Sequence, residues 1–265
     1  MRLKIHHATQ YRFENPVGFG LQQIRKTPKS SSQQTIFAWK TDVQNGQKEL
    51  SFEDHHNNTV ELISFARNVS DVRVTSEGEV ELTDTNGVIG AHRGPSPLWL
   101  YRRPTTLTRA RAQVRSFLQP LSLTPDLEGL HALVDAIRGR VAYEVGASKP
   151  DWSAENALEA GRGVCQDQTH VFLTCARELG LPARYVSGYL MLDNTTVQDA
   201  MHAWAEAYVD PLGWVGFDVS NGISPDTRYV RVATGLDYFD ASPITGVRIG
   251  GASEVLEVRI DVSQQ

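Results

Sequence analysis

The 265-residue sequence predicts an α+β chain, and three observations carry that expectation. Its first hundred residues alternate apolar and polar side chains with the two-residue period of a strand. A middle stretch then places apolar residues at helical spacing, and strand patterning returns after Pro182. The expected architecture is an amino-terminal antiparallel β-sandwich-like domain over residues 1–100. A helix-and-sheet domain with a β-rich tail follows over residues 101–265.

Each element has its own signal. Leu3, Ile5 and His7 alternate with polar neighbours before Tyr11-Arg12-Phe13, and Asn15-Pro16 is expected to punctuate the strand. Val60 to Phe65, Asp71 to Thr75 and Glu79 to Leu82 repeat the pattern, separated by turn-rich stretches such as Ser30-Ser31-Ser32 and Asp54 to Asn58. Arg102, Arg103, Arg109, Arg111 and Arg115 cluster near Pro104 at varied helical angles, which reads as a solvated linker and first helix. Thr124 is expected to cap the next helix, with Pro125 in its first position, a face of Leu127, Leu130, Val134 and Ile137, and Gly139 as its stop. Ser153 to Leu158 forms a shorter helical piece. In Val164 to Leu179 the apolar residues again recur at helical spacing, and Gly180 with Pro182 ends that helix. Strands follow at Ala183 to Leu190, His202 to Val209 and Trp214 to Val219, with Asp210-Pro211-Leu212-Gly213 as a turn.

Composition excludes several functions. Lys and Arg number 26 against 31 Asp and Glu, a net charge of −5 with no basic block, so nucleic acid is not an expected partner. No apolar run approaches the ~18 residues of a membrane span, and the amino end lacks a signal-peptide core. A cytoplasmic protein with no membrane partner is therefore expected. Cys165 and Cys175 make no disulfide framework: on one helix, ten residues would separate them by about 15 Å. There is no CxxC, HExxH or calcium-loop pattern, so neither a metal nor a cofactor is implied. Oligomeric state stays open.

Cys165 sits at the first turn of its helix, with one residue between it and Gly161-Arg162-Gly163. Unpaired backbone N–H groups there favour thiolate over thiol, and the Cys165 N–H is a candidate oxyanion donor. Position alone leaves nucleophile and core filler both open, whereas Cys175 reads simply as a small core residue. A cysteine nucleophile needs a base and an orienting group. His202 opens a strand whose other face is Ala203, Ala205, Ala207 and Val209, small enough to pack on a helix. Asp218 lies on the following strand and points the same way. With a Gly bulge in the turn, an ideal hairpin places Asp218 opposite Glu206, four residues from His202. A further bulge or slip is then required to bring them together.

Four stretches, Gly163 to His170, Pro182 to Tyr189, His202-Ala203-Trp204 and Gly213 to Asp218, resemble the bacterial transglutaminase-like (transglutaminase/protease-like) superfamily. The amino half resembles the β-rich region that precedes this core in one bacterial branch, and Gly235 to Asp240 resembles that branch's tail. The resemblance implies a papain-like core with Cys165 as nucleophile, His202 as base and Asp218 as orienter. It implies amide acyl transfer through a thioester to a peptide or protein substrate. Peptidase-type hydrolysis of peptide or isopeptide bonds stands ahead of transamidation, and a non-catalytic scaffold is the rival class. Tyr143, Trp152 and Gln166 are candidates for the second oxyanion donor or for substrate contact, and Asn221 is an alternative orienter. The sequence departs from the family pattern at Gln168, where an aromatic is usual, and at Val219-Ser220, where Pro-Thr is usual.

Overall fold

A computed structural model describes all 265 residues. The alternation that opens the sequence becomes β1 (Arg2–Thr27), a single strand. Asn15-Pro16 does not end it; the chain stays extended and its pairing shifts register between Arg12 and Val17 instead. β2 (Gln34–Gln44), β3 (Gly46–Glu53), β4 (Thr59–Phe65) and β5 (Val69–Leu82) follow. The first half of β1 pairs with β5 and its second half with β4, while β2 adds to β5 and β3 to β4. A short β6 (Val88–Gly90) leaves this group.

Helices then dominate: α1 (Ala112–Leu118), α2 (Leu127–Arg140), α3 (Ala154–Ala160) and α4 (Cys165–Glu178). All five clustered arginines around α1 are exposed, as a solvated segment requires. Asp126, not Thr124, caps α2: its carboxylate accepts from the Gly129 N–H at 2.9 Å. A carboxylate at a helix N-terminus meets the dipole as well as the orphan N–H, which favours it over a hydroxyl. Gly139 does not stop the helix, which runs one residue further to Arg140. The two-residue strands β7 (Ala142–Tyr143) and β8 (Arg162–Gly163) pair in parallel just ahead of α4.

The remaining strands are β9 (Ala183–Leu190), β10 (Val197–Gln198), β11 (His202–Val209), β12 (Gly213–Phe217) and β13 (Tyr229–Gly235). They are followed by α5 (Tyr238–Ala241), β14 (Ile244–Gly250) and β15 (Glu254–Gln264). One sheet runs β13-β9-β11-β12-β6, with α4 packed across β9 and β11. The tail returns to the amino-terminal strands. β15 pairs with Leu3–Phe13 of β1, β14 with Val17–Ile24, and β10 with β15, which completes an eight-stranded antiparallel sheet.

A small cluster including Phe13, Ile24, Ile63, Phe65 and Val74 packs within that sheet. In the main core, Phe172 and Cys175 of α4 join Ala203, Ala205 and Ala207 of β11 with Leu3, Ile5, Ile260 and Val262, while Val186, Leu190, Trp204 and Tyr229 form a third cluster on the sheet's other face. No helix is long and apolar enough to cross a membrane.

Candidate active site

The site is built where α4 begins. An added Cβ on Gly163 would lie 2.7 Å from Asp167 Cβ, so only glycine lets the chain pass there. The Asp167 carboxylate accepts from the Val164 N–H at 2.7 Å, fixing the first turn. The earliest intrahelical bonds run from Asp167 N (3.0 Å) and Gln168 N (3.1 Å) to Val164 O, leaving the Cys165 and Gln166 N–H groups open. Cys165 is half-buried, whereas Cys175 is buried and its burial pushes the thiol well up.

Pairing of β11 with β12 settles the register. Val209 pairs with Gly213 and Ala205 with Phe217, so the expected bulge at Gly213 is absent. Extending this pairing sets Asp218 across from Trp204, only two residues from His202 on the same face. Diagonal neighbours of that kind lie within reach of long side chains, so no further slip is needed. His202 Nε2 meets Asp218 Oδ2 at 2.6 Å.

Asp218 is fully buried and its carboxylate is well supplied with donors. Oδ2 also accepts from the Asn221 amide at 2.7 Å and the Tyr229 hydroxyl at 2.7 Å, and Oδ1 accepts from the Asn221 N–H at 3.2 Å. Burial works to raise its pKa, but the hydrogen bonds and the His202 charge outweigh it and hold it below the usual range. For His202, burial acts to lower the pKa. Its hydrogen bond with Asp218 and that carboxylate's charge, with the Cys165 sulfur nearby, outweigh it and lift the imidazolium to about 10. With Nε2 turned to Asp218, Nδ1 is left for the thiol. Asn221 therefore supports Asp218 rather than replacing it.

Cys165 and His202 line one groove of about 850 Å³. Tyr143 and Gln166 line it too, Tyr143 half-exposed and Gln166 with its amide donating to Pro150 O at 3.0 Å. Trp152 does not line the groove. The two departures from the family pattern meet: Ser220 Oγ donates to Gln168 Oε1 at 2.8 Å, and Gln168 Nε2 donates to Val141 O at 2.8 Å. Gln168 thus ties the helix that begins at Cys165 to the turn that follows Asp218.

Sequence reading missed Tyr229, whose role depends on a strand partner no local pattern names. It also missed His7, Thr9 and Lys26, which bring β1 to the groove's wall. No group of three or more His, Cys, Asp or Glu is arranged to hold a metal ion.

Comparison with known proteins shows what the chain resembles. Residues 115–219 match the model of the transglutaminase-like superfamily, and residues 3–81 match that of the bacterial transglutaminase-like N-terminal region. An uncharacterised protein of Mycobacterium leprae is 27% identical over 99% of this chain and 99% of its own length. One from Mycobacterium tuberculosis is 26% identical over 98% of this chain and 92% of its own. A crystal structure from Cytophaga hutchinsonii, of a protein provisionally named a cysteine protease, superposes with a TM-score of 0.78 at 19% identity. That match covers 99% of this chain and 90% of the other.

Proposed function

The chain belongs to the transglutaminase-like superfamily, and from that membership we propose a cysteine-dependent amide hydrolase that acts on peptide or isopeptide bonds through a thioester. The observation that carries this reading is His202 held between the Cys165 thiol and the buried Asp218 carboxylate in an open groove. The protease name given to the structurally similar Cytophaga protein is consistent with it.

In the proposed reaction, the Cys165 sulfur attacks the amide carbonyl carbon and a C–S bond forms. The open N–H groups of Cys165 and Gln166 are suited to receive the developing oxyanion. The C–N bond then breaks and the imidazolium of His202 gives its proton to the leaving amine. Water next attacks the thioester carbonyl, His202 takes one of its protons, and the C–S bond breaks to release the thiolate and the carboxylic acid, which gives its remaining proton to solvent. Asp218 keeps Nε2 engaged, so Nδ1 stays directed at the reacting atoms throughout.

Hydrolysis is preferred over transamidation because water needs no binding site of its own, whereas an amine acceptor needs a second one. Asp199 is the single carboxylate lining the groove.

Alkylation by iodoacetamide between pH 6 and 7 tests the premise, those pH values lying roughly two below a free thiol's pKa. Cys165 is expected to react at least about tenfold faster than a model thiol, and His202→Ala should remove the advantage. An unenhanced rate that His202→Ala leaves unchanged would favour the scaffold reading instead. Incubation with glutamine-containing peptides and a labelled primary amine separates outcomes: cleavage supports hydrolysis, and label incorporation establishes transamidation.

A further inference from the structure

We infer that Lys26, held by Thr9, forms a subsite for a carboxylate group of the substrate in the wall of the groove that contains Cys165. Lys26 is fully buried yet belongs to the groove's lining, together with His7 and Thr9. Its ammonium makes one hydrogen bond, to Thr9 Oγ1, and no ion pair. Thr9 Oγ1 in turn contacts His7 Nε2 at 3.3 Å, and His7 Nδ1 contacts the Tyr189 hydroxyl at 3.1 Å. A lysine ammonium carries three donors, so in either tautomer of His7 two of its N–H groups have no acceptor.

A buried cation of this kind is costly unless something compensates it. Nothing in the fold does so. Its surroundings act only through desolvation, which lowers the Lys26 pKa to about 7, and no carboxylate opposes that effect. Lys26 has no exposed surface even toward the groove it borders, so an acceptor reaches its free donors only from that side and only as neighbouring side chains shift. An anionic oxygen arriving there would meet a pre-placed donor in a low-dielectric setting, where a charge-assisted hydrogen bond is strong. The rest of the lining is mostly apolar, including Leu190, Leu192, Val197 and Leu256. The substrate class is therefore an amide with apolar flanks and a carboxylate set back from the scissile bond. That carboxylate is either a chain terminus or an acidic side chain.

This assignment rests on the acyl-transfer reading only for what enters the groove, and the test keeps the two apart. Chloroacetyl-oligoglycines of one to four residues alkylate Cys165: the S–C bond forms and chloride leaves. Each is compared as free carboxylate and as carboxamide, with iodoacetamide reporting the thiol alone. A parallel pair, chloroacetyl-Gly-Glu-amide against chloroacetyl-Gly-Gln-amide, asks for an acidic side chain. At one length or in that pair the carboxylate should react about tenfold faster, and Lys26→Met should bring the ratio to near one. Methionine replaces lysine's aliphatic stem without its ammonium, so the variant suits a buried position. As a second check on the unaltered chain, N-acetylglycine should slow carboxamide alkylation and N-acetylglycinamide should not. No carboxylate preference in any arm would overturn the subsite, as would a preference that survives Lys26→Met, which would assign it to the His202 imidazolium. A slow iodoacetamide rate would instead sink the acyl-transfer reading.

Discussion

Cys165 and His202 line one groove although their elements would separate them. Ala203, Ala205 and Ala207 face α4, so the alternate face of β11, with Trp204, points away from the helix. The pair comes together because Cys165 is the first residue of its helix and His202 the first of its strand, so both project at the rim of the sheet. The charge state of His202 has a consequence for stability. Its pKa is raised from an ordinary value near 6.5 to about 10, so below about pH 6.5 the ring is protonated in both folded and unfolded chains. Its full stabilisation is present there and is lost as pH climbs from about 6.5 towards 10. Asp218, whose pKa is lowered, contributes above the ordinary carboxylate value near 3.9 and loses its contribution as pH falls. Thermal melts of His202→Gln and the parent chain should therefore differ most between about pH 4 and 6.5. Breaking a buried pair costs about 3–5 kcal/mol, and the difference should shrink towards pH 10. A difference that stays constant with pH would show that the pair is not ionised.

At the level of elements, a glycine decides whether the proposed triad assembles. Gly213 has φ +82°, and a Cβ there would stand 2.2 Å from Gly90 O. It thereby pairs with Val209, lets β6 approach β12, and sets the register that carries Asp218 to His202. Gly213→Ala should cost about 1–3 kcal/mol through backbone strain, with further loss from the clash. In the folded fraction, the His202-dependent part of Cys165 alkylation should fall. A destabilised variant with an unchanged alkylation rate would mean that the register survives by other means. This register was legible only to within two residues: the parity of the strands put His202 and Asp218 on one face, but the turn's conformation chose their partners. The cap of α2 is a local matter instead: Thr124 and Asp126 both suit a cap, and the carboxylate meets the helix dipole as well as the free N–H.

Across the whole molecule, the chain's two ends are one structure. β14 and β15 pair with β1 along most of its length, and Ile260 and Val262 enter the core that also holds Phe172 of α4. Truncation after Ala241 removes both strands at once. The shortened chain is expected to lose its cooperative thermal transition by circular dichroism, and retention of the parent melting temperature would refute a shared core. Closure by the tail also carries Pro243, Ile244, Leu256 and Val258 to the groove, beside His7 and Thr9. The groove is thus a product of both halves of the sequence.

What the sequence determined by itself is local: the strand and helix periods, the thiol at a helix start after Gly-Arg-Gly, and the three chemically suited residues Cys165, His202 and Asp218. These follow from side-chain spacing and residue chemistry, which neighbours along the chain suffice to express. Only the tertiary structure decided that Tyr229 and Asn221 hold Asp218, that Gln168 and Ser220 bond each other, and that an uncompensated lysine from β1 stands in the groove wall. Each depends on contacts between residues distant in sequence or on the path of a turn, and burial there fixes charge and hydrogen-bond partners that no local pattern encodes.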